Sequence, residues 1–455
     1  MNLSGKEKTA YGLGAVGKDM VYMLSASYVL YYYQDLLGVN AVAMGFILLV
    51  ARIFDAFNDP VMGVIVAKTK TKWGKFRPWL LIGTVINAVV LFAMFAAPPS
   101  LDGRGMVAYA AVTYILWGVT YTMMDIPFWS MIPAFTQGGK ERENLTTLAR
   151  SCAGVGSAII TIITVMTVQA LGAGDERRGF MIFALIIAII FILFISFTCL
   201  TIKEKSTVDV NSPSVGEMFK ALVSNDQAMT VVIFIVLINC SLYITSNLLI
   251  YFFKYDVGGE GWGGLYTLFN AFGGGIQILS MMFFPLLRKK LSNNQIFKLS
   301  MFAAMTGYGI LFILMCLGVH TIAALLVPGF FVFVAFGLLT VLTTVFLANT
   351  VDYGELKNNR RDESVIFSMQ TFVVKLASGI AAMVASLALA IGNISKNTDD
   401  VVATTVTGGS VMVLRMTMTI LPIIGLLAAF AVFKTKFILT EEKIEEITEE
   451  LKNRH

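Results

Sequence analysis

Apolar residues along this chain gather into runs of about 20, the length a helix needs to cross a bilayer, and polar interruptions between them are short. The runs are Val21–Leu37, Val42–Val66, Leu80–Ala97, Val107–Ile126, Thr147–Leu171, Phe180–Leu200, Met229–Phe252, Gly264–Leu287, Phe297–Gly318, Ile322–Leu347, Phe367–Ile391 and Met412–Phe433. They predict an all-α membrane protein with about twelve transmembrane helices. The one long polar interval, Thr201–Asn225, divides them into two halves. The expected organisation is a six-helix bundle over 1–200, a cytoplasmic middle loop over 201–228, a second six-helix bundle over 229–435 and a tail over 436–455. In that tail Glu441, Glu442, Glu445, Glu446, Glu449 and Glu450 alternate with Ile444, Ile447 and Leu451, the pattern of an amphipathic helix with a solvated acidic face.

Composition agrees. Of 455 residues 57% are apolar and only 14% charged, where soluble proteins run near a quarter charged; the mean hydropathy is +0.76. Ser4, Lys6, Glu7 and Lys8 precede a first segment too long and too charged for a cleaved leader. Lys and Arg cluster in alternate loops: Lys68, Lys70, Lys72, Lys75 and Arg77, then Lys203, Lys205 and Lys220, then Arg288, Lys289 and Lys290, then Lys357, Arg360 and Arg361. By the positive-inside rule these loops and both termini are cytoplasmic, which predicts a multi-pass membrane protein with both ends inside the cell. The net charge of +5 expresses this bias; no nucleic-acid surface is implied. The basic loop Ala67–Pro78 is expected to latch against acidic helix ends, and the cytoplasmic face is where a regulatory protein would dock. Cys152, Cys199, Cys240 and Cys316 are scattered singly and read as buried hydrophobes. His320 and His455 are the only histidines, so no embedded imidazole serves as a proton relay.

Against this background, embedded charge stands out, since a charged group at the bilayer centre costs at least about 2.5–3.5 kcal/mol. The second segment holds Arg52-Ile53-Phe54-Asp55-Ala56-Phe57-Asn58-Asp59-Pro60. Asp55, Asn58 and Asp59 fall at i, i+3, i+4 and share one helix face, a set of hard oxygen donors suited to a small cation. Arg52 lies one turn earlier on that face. A structural ion pair between helices is the other reading; two carboxylates against one guanidinium favour the cation. In the fourth segment Tyr121, Asp125 and Trp129 recur at i, i+4, i+8, with Thr122 beside them. A carboxylate between flat rings fits a sugar, whose hydroxyls need a charged acceptor and whose C–H face needs an aromatic. A plain interfacial belt explains Trp129 but not Asp125.

The first segment opens Gly12-Leu13-Gly14-Ala15-Val16-Gly17-Lys18-Asp19. Its G-x-G-x-x-G follows no strand and sits in no βαβ unit, so dinucleotide binding fails and close helix approach is the reading. Lys18 and Asp19 enter the apolar run about 100° apart on a helix and need partners on other helices; snorkelling toward the interface is the alternative. Mixed-charge loops at Lys140–Leu145 and Arg360–Val365, with Arg150 and Lys375 in the helices that follow, hint at an internal repeat. The glycines Gly273–Gly275 suggest tight packing.

Gly17-Lys18-Asp19, Phe54–Pro60, Trp73-Gly74-Lys75-Phe76-Arg77-Pro78-Trp79, Met124-Asp125-Ile126-Pro127-Phe128-Trp129-Ser130 and Val351-Asp352-Tyr353-Gly354-Glu355 together resemble the melibiose-carrier family, the glycoside–pentoside–hexuronide:cation symporters of the major facilitator fold. The resemblance spans the whole chain in order. It implies two pseudo-symmetric six-helix bundles. It also implies that Asp55, Asn58, Asp59 and Thr122 bind a coupling Na⁺, Li⁺ or H⁺, with Asp59 the protonation site. Lys18, Asp19, Tyr121, Asp125, Trp129, Arg150, Thr371, Val374 and Lys375 are then implied for the sugar. In that scheme Asp19 and Asp125 accept from sugar hydroxyls, Trp129 stacks, Arg150 bridges to an acid or hydroxyl, Tyr121 lies beside both sites and Lys375 links the C-terminal half to the acids. No cofactor beyond the coupling ion is implied. Two positions depart from the family pattern: a tyrosine is replaced by Ala26 and a tenth-helix tryptophan by Thr340. The expected substrate is therefore an α-galactoside or a related glycoside. Because distant relatives move lipids with sodium, a lysolipid carrier on the same fold is the alternative. No H-E-x-x-H, G-x-x-x-x-G-K-[ST] or G-x-S-x-G stands in usable context, which argues against an enzyme. Acids on isolated helix faces are not the rings of a channel.

Overall fold

The computed structural model describes residues 3–135, 139–204, 215–358, 363–394 and 408–454. It divides into two units, each built from its own run of helices. The first holds α1 (Gly5–Tyr31), α2 (Ala41–Lys68), α3 (Arg77–Phe95), α4 (Gly103–Ser130), the single turn α5 (Ile132–Phe135), α6 (Gly139–Gly172) and α7 (Glu176–Thr201). The second holds a short α8 (Val215–Ser224), α9 (Asp226–Tyr251), α10 (Trp262–Arg288), α11 (Asn293–Cys316), α12 (Ile322–Asn358), α13 (Glu363–Ile391), α14 (Gly408–Lys436) and α15 (Glu441–Arg454). Among the described residues there is no strand, and 11 helices are long and apolar enough to cross a membrane. The remaining long helix, α1, spans 27 residues and carries Lys18 and Asp19 in its interior.

Helix starts follow from local chemistry. Ser4 and Glu7 form a capping box that begins α1 well before its apolar run at Val21. Asn40, Asp102, Asp175 and Asn225 cap α2, α4, α7 and α9 through side-chain oxygens, satisfying first-turn N–H groups. At the other end α12 continues eleven residues past Leu347 into Asp352–Asn358, because charged residues extend a helix readily once it leaves the apolar layer.

The two units repeat one packing plan. In the first, α1 packs on α6 and α7, α2 on α4, and α3 on α4 and α7. In the second, α9 packs on α13 and α14, α10 on α12, and α11 on α12 and α14. The first long helix of each unit ends in a π-helical turn, Tyr32–Leu36 after α1 and Phe252–Val257 after α9. Each turn leads to a left-handed glycine, Gly38 (φ 69°) or Gly258 (φ 65°), a conformation a side chain resists. The mixed-charge loops that hinted at this repeat, 136–144 and 359–368, have side chains outside the described residues.

Close approach rests on small residues where the glycine pattern suggested it. A Cβ on Gly17 would press on Phe194 of α7. Of Gly273–Gly275, Gly273 alone meets a neighbour, the ring of Phe333; Gly274 and Gly275 face nothing within 4 Å. The second unit's core is a cluster of Phe234, Phe297, Phe346 and Phe433, with ring centroids 4.3–6.1 Å apart. Large apolar side chains such as Phe46, Val89, Leu193, Met282 and Leu317 are exposed, as lipid-facing positions should be.

The basic loop between α2 and α3 is held by an acid. Glu204 accepts from the backbone N–H groups of Lys75, Phe76 and Arg77 at 2.7, 3.0 and 3.1 Å, capping the start of α3. The second unit does the same with Glu441, which accepts from Asn293 N–H at 3.0 Å and pairs with Arg288 at 2.5 Å.

Candidate functional site

The embedded charges of the first unit come together from α1, α2, α4 and α6. Lys18 is 4% exposed. Its ammonium donates to Asp19 Oδ1 at 2.9 Å and to the Tyr121 hydroxyl at 3.1 Å, and pairs with Asp125 Oδ1 at 2.7 Å. Three oxygens match the three protons of a lysine head. The same nitrogen lies 5.4 Å from the Tyr121 ring centre and 5.2 Å from that of Trp129, within cation–π range. Asp19 Oδ2 also accepts from Ser157 of α6 at 3.2 Å, and Asp125 Oδ1 from the Trp129 indole at 3.2 Å. The four-carbon stem of Lys18 is long enough to bend back, so neighbours that point apart still meet. Arg150 of α6 lies flat over Trp129, its guanidinium carbon 4.1 Å from the ring centre. One face of the ring expected to stack on a sugar therefore carries an arginine.

The oxygen-donor face of α2 forms a second cluster against α4. Asp55 is 6% exposed and Arg52 is 5% exposed, and Arg52 Nη1 donates to Asp55 Oδ2 at 3.5 Å. Asp59 Oδ1 accepts from Thr122 Oγ1 of α4 at 3.0 Å. Asn58 lies half-buried beside it on the same face. Gly118 of α4 makes this approach possible, because any Cβ there would run into Asp55 Oδ1. The donor set, two carboxylates with an amide and a hydroxyl, is oxygen throughout and suits a monovalent hard cation or a proton.

Tyr121 and Thr122 are neighbours on α4. One accepts from Lys18 in the first cluster and the other donates to Asp59 in the second. Of the residues singled out from the sequence, Lys18, Asp19, Tyr121, Asp125, Trp129 and Arg150 meet in one group. Asp55, Asp59 and Thr122 meet in the adjacent one. Val374 and Lys375 lie half-buried on α13 of the second unit; Thr371 is on the same helix, with its side chain outside the described residues. Spacing alone does not single out Ser157, Gly118 or Tyr22. The Tyr22 ring of α1 lies 5.5 Å from that of Tyr121 and 6.2 Å from that of Trp117, and the Arg52 guanidinium carbon sits 5.7 Å above it.

A lipid-spanning helical chain with ion-pair clusters held at mid-helix has the make-up of a carrier, and the family comparison agrees. The chain belongs to the MFS/sugar transport protein family, whose model matches residues 10–440. It is a membrane transporter and not an enzyme. Among its relatives is a lactose permease of Lactobacillus delbrueckii subsp. bulgaricus, 30% identical over 462 residues that cover 98% of this chain and 72% of the relative. A raffinose carrier protein of Pediococcus pentosaceus is 29% identical over 463 residues, 97% of this chain and 70% of the relative. The crystal structure of the nucleoside transporter NupG superposes with a TM-score of 0.65 at 15% identity, covering 94% of this chain and 100% of that one; at that identity the likeness is one of fold, the major facilitator arrangement.

Proposed function

We propose that the chain is a symporter that couples entry of a galactoside or related glycoside to a monovalent cation, Na⁺, Li⁺ or H⁺. The observation that carries this reading is the junction at Tyr121 and Thr122, adjacent residues of α4 that serve a lysine–carboxylate cluster and an acidic oxygen cluster. Asp55, Asn58, Asp59 and Thr122 hold the cation. Asp19 and Asp125 accept from sugar hydroxyls, Lys18 and Arg150 donate, and the Trp129 ring takes the sugar's C–H side. Lactose and raffinose, in the names of the relatives above, both carry a galactosyl unit. Thr371, Val374 and Lys375 of α13 are the second unit's candidates for sugar contact.

The mechanism follows from charge. Asp55 and Asp59 lie one turn apart on the same face of α2, so an arriving cation relieves the repulsion between their carboxylates. Thr122 is then held toward Asp59, and with it the α4 turn that carries Tyr121. Cation and sugar raise each other's affinity, a reciprocal coupling of about 1–3 kcal/mol. An inward membrane potential adds about 2.3 kcal/mol per charge per 100 mV. Alternating access of the filled site through the two repeated units completes the cycle, with both termini in the cytoplasm.

The test is uptake of labelled galactosides, glucosides, xylosides and glucuronides by inner-membrane vesicles, with sodium or with choline at equal ionic strength. Sodium-stimulated accumulation of a galactoside is expected, and Asp59→Cys should remove that stimulation while leaving sugar exchange measurable. No accumulation of any of the four classes, under a sodium or a proton gradient, would refute the proposal.

A further inference from the structure

Between the two clusters lies a continuous set of contacts that does not run along α4 alone. Arg52, which pairs with Asp55 at 3.5 Å, also stands over the rings of Tyr22 (5.7 Å) and Tyr114 (5.9 Å). Tyr114, Trp117 and Tyr121 recur along α4 at helical spacing and stack in sequence, with centroids 5.9 and 5.2 Å apart and interplanar angles of 16° and 24°. Tyr22 spans this stack from α1, 6.2 Å from Trp117 and 5.5 Å from Tyr121. Tyr121 in turn accepts from Lys18, which holds both sugar-site carboxylates. Tyr22 is one turn beyond Lys18 on α1, and Ala26, one further turn along that face, carries no ring.

We propose that Tyr22 is the positioning residue through which occupancy of the cation cluster is felt at the sugar cluster. Its face holds the Arg52 guanidinium and the ring packs on Tyr121 at a tilt of 41°. A cation at Asp55 and Asp59 weakens the hold of Asp55 on Arg52. The guanidinium then settles onto Tyr22, and the ring sets the position of Tyr121 and hence of Lys18 between Asp19 and Asp125. The coupling needs a flat π-face at residue 22 and makes no use of its hydroxyl. This inference rests on the cation-coupled sugar reading above and names a side chain that the reading does not assign.

The test measures, on the purified full chain, the dissociation constants of 4-nitrophenyl α-galactoside and 4-nitrophenyl β-galactoside in sodium chloride and in choline chloride. The variants are Tyr22→Phe, Tyr22→Met and Tyr22→Leu. In the wild type sodium should tighten binding of one probe by between about 5- and 150-fold, the usual range of such couplings. Tyr22→Phe should keep that ratio within about threefold, whereas Tyr22→Met and Tyr22→Leu should bring it close to one. Met and Leu fill space without a π-face, so either one that folds gives the answer. A ratio retained in Met or Leu, or lost in Phe, overturns the assignment to Tyr22 while leaving the sugar–cation reading intact. A wild type whose affinity for both probes ignores sodium overturns that reading and this inference with it.

Discussion

The two units share one plan of helix pairing and differ in what they bury. Aligning the glycines that follow their π-helical turns, Gly38 and Gly258, sets Ile238 and Asn239 of α9 against Lys18 and Asp19 of α1. The same alignment sets Phe272, Gly275, Ile278 and Leu279 of α10 against Arg52, Asp55, Asn58 and Asp59 of α2. Asn239 spends its amide on its own helix, donating to Ile235 O at 2.8 Å, while Ile278 and Leu279 are exposed apolar residues. A bidentate ion pair of the second unit involves its π-helical turn instead: Arg415 grips Asp256 through two bonds of 2.7 and 2.6 Å. The same helix pairing is therefore sustained whether or not the first two long helices of a unit carry charge at mid-helix. The charges of α1 and α2 are not needed to build it, and their desolvation demands another explanation, which transport chemistry supplies.

The largest effect should come from breaking the charge cluster. Lys18→Met leaves Asp19 and Asp125 without their shared ammonium, and removing one partner of a buried pair costs about 3–5 kcal/mol. Uptake should fall at least about a hundredfold, with a lowered unfolding temperature; uptake within tenfold of wild type would mean that the lysine is only snorkelling. Next is Gly118→Ala, which drives a methyl into Asp55 Oδ1. Overpacking of about 1–3 kcal/mol should weaken sodium affinity about tenfold, read as the sodium concentration giving half-maximal uptake. By contrast Gly275→Ala, at the α10 position aligned with Asp55, has open space around it and should leave that concentration unchanged; a comparable shift in both variants would erase the contrast between the units. Arg150→Lys trades a flat guanidinium over Trp129 for a compact ammonium. The loss of about 1 kcal/mol should raise the half-saturating sugar concentration about fivefold. Least of all, Asn239→Ala removes a bond within one helix and should change stability by under about 1 kcal/mol, with sodium stimulation intact; its loss would place chemistry in the second unit.

Much of this architecture was readable from the sequence, because lipid enforces a pattern. Apolar runs marked the membrane helices, and i, i+3, i+4 spacing placed Asp55, Asn58 and Asp59 on one face and Tyr121, Asp125 and Trp129 on another. Helix ends were less legible: Ser4 and Glu7 start α1 sixteen residues ahead of Val21, and the polar interval after Thr201 contains a helix, α8. Contacts between distant residues left no periodic trace. Ser157 reaches Asp19 across 138 positions and Glu204 reaches Lys75 across 129. Gly118 is one small residue among many until Asp55 is seen against it. The arginine over Trp129 follows from how α4 and α6 face each other, which spacing along either helix does not specify.

The central claim is that the α2 oxygen cluster binds an ion whose presence is felt at Lys18, Asp19 and Asp125. It is tested most directly by titrating the purified chain with sodium at several fixed concentrations of 4-nitrophenyl α-galactoside and its β-anomer, for wild type and Asp59→Cys. In the wild type one sugar should tighten sodium binding by the same factor by which sodium tightens that sugar, as linkage requires. In Asp59→Cys both factors should fall to one while the sugar still binds. Equal sodium affinity with and without either sugar in the wild type, or an unchanged factor in Asp59→Cys, would contradict the account.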